Sequence, residues 1–319
     1  FKEFIFSTKP DSPLAPGPQP SFNKALNLTR FLPGGESLLF VSALDQSSQM
    51  EIFADYYLAS MHSDMAHMDM ETGERYVQWY TQYLNTMEIS FLPSAMTIRI
   101  EKDNSSFQYL LESDYVQEDF DRMVKLTDGL HDIGSGINLI RIESGQADDH
   151  EILGWSVTWH EGELQNMMEN ASGANPSDQL LETDLMGLLR FAPGNIYMAQ
   201  VDDYILICGG PTDDLMKQLL RNAAKGQGQI DPRVQKALKK SGPGMQTSTV
   251  GDLNAMIQVI MEISEELDDP GSKDPSSEPE TNWPTTHPLP FVQTHEIDGT
   301  DYLVHLEMEK AVLRELIKT

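Results

Sequence analysis

The chain has 319 residues, 39% of them apolar, with 50 Asp and Glu against 22 Lys and Arg. This length and composition exclude a disordered chain and allow one large or two ordinary domains with a buried core. The formal charge of −28, with no cluster of Lys and Arg interleaved with aromatic residues, excludes nucleic acid and anionic membrane surfaces as expected partners.

The chain opens at Phe1, which reads as a processed or trimmed end that any signal peptide or anchor would precede. Residues 1–30 read as an extended N-terminal tether, because residues 10–20 hold five prolines. An apolar strand is expected over Ser37–Ala43. Two helices should follow, near Ser48–Met70 and Glu74–Met87. No run approaches the roughly 18 apolar residues of a membrane span.

The pattern then repeats. Met96, Ile98 and Ile100 alternate, a polar turn follows at 103–106, and Phe107, Tyr109 and Leu111 alternate back. A helical stripe of Phe120, Met123, Val124 and Leu126 completes the first hairpin-helix unit. The second runs from Ile137 to Met168, with its turn placed at Ser144–Asp149 and its return strand carrying Leu153, Trp155, Val157 and Trp159. In the third, Asp202-Asp203 joins Ile196–Val201 to Tyr204–Cys208. Gly209-Gly210-Pro211 is expected to break that strand, and Thr212 to cap a helix with Leu215, Met216, Leu219 and Leu220. The fourth spans Phe291–Ile317 around the hairpin dipeptide Asp298-Gly299.

A lone hairpin needs a helix and further strands over its apolar face. The expected class is therefore α+β: antiparallel sheets covered by helices on one face, built from repeated β-hairpin–helix units in two similar halves. The halves are 31–176 and 177–319, divided at the small-residue loop 172–177, and the Pro/Ser/acid-rich residues 268–289 read as a mobile loop.

Cys208, the only cysteine, excludes an internal disulfide framework and sits in a strand among Asp202, Asp203, Asp213 and Asp214. A reactive thiolate needs an electropositive, accessible setting, so a buried inert thiol is expected. The segment from Met61 to Met70 holds four Met and two His, a donor set suited to copper. Its candidate metal ligands are His62 with Met65, and His67 with Met70 and Glu71. On one helix, however, Phe53, Tyr57, Met61, Met65 and Met68 form a core stripe, and His62 and His67 diverge by roughly 140°. Packing is the preferred reading and copper the alternative. His160-Glu161 lacks a second His at helical spacing, since residue 164 is Leu, so no zinc-peptidase motif forms. The glycine pairs lack the residues of a phosphate loop, and no catalytic residues are assigned.

The tandem layout, with Phe31-Leu32-Pro33-Gly34-Gly35 before the first strand, resembles that of uncharacterised exported bacterial proteins built from hairpin-helix modules. The resemblance implies an extracytoplasmic setting and supplies no active site. The expected function is non-catalytic binding of a protein or envelope surface, or a structural role in the envelope, with no required cofactor. The alternatives are copper handling and, third, an unrecognised hydrolase.

Overall fold

The computed structural model describes residues 2–7, 22–32, 38–43, 70–99, 105–130, 137–159, 193–226, 230, 232, 235, 245–252, 290–298 and 301–308. These include eleven strands and four α-helices. In chain order they are β1 (Lys2–Ser7), α1 (Phe22–Leu28), β2 (Leu38–Ser42), α2 (Met70–Thr86), β3 (Ser94–Arg99), β4 (Ser106–Glu112), α3 (Val116–Asp128), β5 (Ile137–Ala147) and β6 (His150–Trp159). Then come β7 (Asn195–Val201), β8 (Tyr204–Gly210), α4 (Asp214–Ala224), β9 (Met245–Asp252), β10 (Pro290–Asp298) and β11 (Asp301–Met308). Short 3-10 turns follow α1 at Thr29–Phe31 and α2 at Met87–Phe91.

All eleven strands join one antiparallel sheet in the order β1-β11-β10-β9-β2-β3-β4-β8-β7-β6-β5. The α+β class and the antiparallel pairing thus follow the sequence pattern. The four expected hairpins are β3-β4, β5-β6, β7-β8 and β10-β11. The hairpin β7-β8 lies between β4 and β6 in this order.

The helices occupy both faces of the sheet rather than one. Side chains alternate across a strand, and in β8 Leu206 and Cys208 enter one core while Ile205 and Ile207 enter the other. On the first face, Phe22, Ala25 and Leu28 of α1 and Met216, Leu219 and Leu220 of α4 pack over Leu39, Val41, Ala95, Leu110 and Ala199. On the second, Phe120, Met123 and Val124 of α3 pack against Leu111, Leu139, Trp155 and Met198. The strands between are apolar on both sides and need a cover on each. Helix α2 forms a further layer on α3, where the Trp79 indole donates to the Leu126 carbonyl at 3.0 Å.

Three local expectations shift. The β5-β6 turn is the two-residue Asp148-Asp149, both at positive φ (49° and 68°), and the 144–145 region stays in the strand beside a bulge. Short acidic side chains tolerate this left-handed turn, whose twist suits a hairpin. Gly209 and Gly210 extend β8 instead of ending it, because Gly209 pairs with Phe107 of β4 and Ile196 of β7 and Gly210 pairs with Asn195; the Phe107 ring and Pro193 occupy the space a Cβ at Gly209 would need. Residues 1–30, read as a tether, contain β1 paired to β11 and the buried helix α1.

The expected helix 48–70, two further helices that the apolar spacing suggests near 179–189 and 252–267, the helices closing the second and fourth units, and the loop 268–289 lie outside the described residues, apart from Met70 and from Asp252, which ends β9. Among the described residues no helix is long and apolar enough to cross a membrane.

Candidate functional site

The site is built where β4 leaves the sheet and α3 begins. The Ser113 hydroxyl accepts from the Tyr115 backbone N–H at 2.9 Å and donates to the Asp119 carboxylate at 2.5 Å. Its own backbone N–H is held by the Asp203 carbonyl at 3.0 Å. This small polar residue therefore anchors the turn and the first turn of α3 to the β7-β8 hairpin. Asp119 is buried, and acidic residues in a first helical turn are favoured by the helix dipole.

One turn further, Arg122 lies at 2.6 Å from Glu118, 2.6 Å from Glu88 in the 3-10 turn after α2, and 3.8 Å from Asp119. Its guanidinium pKa is raised, first by the hydrogen bond with Glu88 and further by Glu118, against the lowering effect of burial. The pairs join α3 to the end of α2 and border an open cleft of about 320 Å3. Ile89 and Leu92 give it apolar surface, Glu88, Glu118, Asp119 and Arg122 give it polar surface, and Tyr115 lines it as well. Tyr115 is 73% exposed, an unusual setting for a large aromatic residue. Three carboxylates against one guanidinium leave the polar wall net negative.

Every carboxylate of this wall touches Ser113 or Arg122. The arrangement can hold a partner group by charge, hydrogen bonding and contact with the tyrosine ring.

The sequence-derived metal candidates fall elsewhere. His62, Met65 and His67 lie outside the described residues. Met70 and Glu71 open α2, where Met70 is 82% exposed and Glu71 lies 3.8 Å from Arg75. His160 also lies outside the described residues. Among the described side chains no three His, Cys, Asp or Glu converge to hold a metal ion.

The cleft itself was not anticipated. Glu118 and Arg122 at i, i+4 are a sequence signal, but an ordinary solvated helix face carries the same one. Glu88, 34 residues away in the chain, completes the wall only after α2 docks on α3. Compared with known protein families, curated proteins and solved structures, the chain matches none.

Proposed function

We propose that the chain is a non-catalytic, extracytoplasmic binding protein whose recognition site is the cleft at the start of α3. The observation that carries this reading is Tyr115, an exposed aromatic residue lining a half-apolar open cleft. Aromatic residues with rigid surroundings are the usual anchors of protein interfaces. The charged wall is already tied by Ser113 and Arg122, so a partner meets a surface whose side chains need little further ordering. The extracytoplasmic setting is supported by the proline-rich segment 10–20 and the tandem layout.

A photo-crosslinking residue at position 115, compared with one at the exposed Ile140, tests the site in cells that make the protein. A discrete adduct from position 115 and none from 140 is expected. Equal labelling from both positions sinks the reading, and fractionation of the same cells reports the compartment.

A second reading, copper handling through the 61–70 cluster, draws support from Met70, whose thioether stands in solvent at the end of the cluster. Cu(I) titration of the purified protein under reducing conditions tests it. No saturable binding, or binding unaffected by His62→Ala and His67→Ala, removes it.

The repeated-unit reading also belongs here: the order β2-β3-β4 is repeated by β9-β10-β11 about the central β2/β9 pair. The helices α3 and α4, on opposite faces, set a limit on how alike the hairpin-helix units can be. Related sequences in which the two halves align with each other better than shuffled sequences would support duplication, and a failure to align would count against it.

A further inference from the structure

The carboxylates of the cleft are only half used by the protein itself. Arg122 Nη1 lies 2.6 Å from Glu88 Oε1, and its Nη2 lies 2.6 Å from Glu118 Oε1. The second oxygen of each glutamate makes no hydrogen bond among the described residues, and the two side chains are 67% and 63% exposed. Asp119 is different, because only 8% of it is exposed. Ser113 holds its Oδ2, while Oδ1 has only Arg122 at 3.8 Å, too far for a hydrogen bond. Nearly all polar groups buried this deeply are satisfied, so Oδ1 marks a place where a donor from outside completes the bonding.

Each carboxylate thus offers one oxygen, and all three are gathered around a single guanidinium. They do not converge closely enough to hold a metal ion. The planar fork of a partner's arginine pairs best with both oxygens of one carboxylate, which none of the three has free. A lysine ammonium is a compact charge with three separate donors, and so it suits single oxygens on different side chains. Its four-carbon stem needs apolar surface, which Leu92 and the exposed Tyr115 supply in the same cleft.

We infer that the cleft is a lysine-binding site. A partner protein seats one lysine there, its ammonium against the free oxygens of Glu88, Glu118 and Asp119 and its stem against Leu92 and Tyr115. The inference rests on the cleft being the recognition site and names the group that is recognised. The −28 charge of the chain draws basic partners toward it.

The test is nuclear magnetic resonance of the isotope-labelled full chain, titrated with the peptide acetyl-Gly-Leu-Lys-Leu-Gly-amide. Parallel peptides carry Nε-acetyl-lysine, arginine or glutamate in place of the lysine. Saturable shifts at Tyr115 and Arg122 are expected with the lysine peptide, weaker binding with arginine, and none with the other two. Glu118→Gln should weaken the lysine peptide at least about tenfold, the worth of a hydrogen bond to a charged group. The same change at the exposed Glu151 of β6 should leave binding as it is in the parent. Should Glu118→Gln not fold, the four peptides on the parent protein still decide. Acetyl-lysine, arginine or glutamate binding the cleft as tightly as lysine overturns the lysine assignment, and so do shifts confined to residues outside the cleft. Silence from all four peptides also overturns it, and silence together with no adduct from position 115 removes the cleft as a recognition site.

Discussion

Replacing Trp155 by Phe tests how the sheet holds its second-face helix. Trp155 is fully buried among Leu139, Met198 and Ile205, and its indole N–H donates to Asp128, the last residue of α3, at 2.8 Å. Arg141 lies over the same ring at 5.2 Å and bonds the other Asp128 oxygen at 3.2 Å. Phenylalanine keeps most of the apolar contact but removes the donor and the pyrrole edge. The lost edge opens roughly 40 Å3, costing about 1 kcal/mol at about 24 cal per Å3. The lost hydrogen bond costs about 0.5–1.5 kcal/mol, toward the neutral-bond range because water can reach the 39%-exposed Asp128 side chain. The sum is about 1.5–2.5 kcal/mol. Urea unfolding followed by circular dichroism measures it, with an unchanged m-value showing that the unfolded reference is the same. A cycle with Asp128→Ala, which removes the acceptor, should return a coupling of about 0.5–1.5 kcal/mol. A loss below about 0.5 kcal/mol for Trp155→Phe, or zero coupling, would refute the view that this residue ties α3 to the sheet.

Gly209→Ala should destabilise the protein by at least about 1–3 kcal/mol, because the new Cβ meets the Phe107 ring and comes within 2.6 Å of Pro193; thermal unfolding at the wild-type midpoint contradicts this. Burial pushes the Cys208 thiol well above its usual pKa, so a thiol reagent at pH 8 should leave the native protein unlabelled and react once it unfolds. Labelling at the rate of a free thiol would refute its burial. Desolvation lowers the His295 pKa below 6.5, and Gln293 lies 2.7 Å from its Nε2. The unfolded chain then binds the extra proton first, so the stability contribution is full above pH 6.5 and is lost as pH falls from there to the depressed folded value. In His295→Gln the stability curve should flatten over that interval, and an unchanged slope assigns the effect elsewhere.

Much of the fold is legible because period-two alternation is a local property. The runs around Ile98, Tyr109 and Leu153 alternate without reference to a partner, and all became strands. Gly209 shows the limit of such signals. Glycine before proline reads as a break, yet pairing with Phe107 of β4 and with Asn195 and Ile196 of β7 carries the strand on. The turn at Asp148-Asp149 lay inside the expected segment, but its location depends on the register that puts Ala147 opposite His150. Lys2–Ser7 is too short to stand out and is a strand because the edge of β11 receives it.

The cleft was less legible. Glu118, Asp119 and Arg122 read as one solvated helical turn, and nothing nearby in sequence points to Glu88 or Ser113 as their partners. The chain alone determined the strands of the four hairpins and their antiparallel pairing, the inert cysteine and the negative field, since each follows from nearest neighbours or from a sum over residues. Strand order, the placement of α3 and α4 on opposite faces, and the meeting of Glu88 with Arg122 were decided only by tertiary structure. They depend on which apolar faces find one another, and an alternating strand buries a face without specifying the partner that covers it.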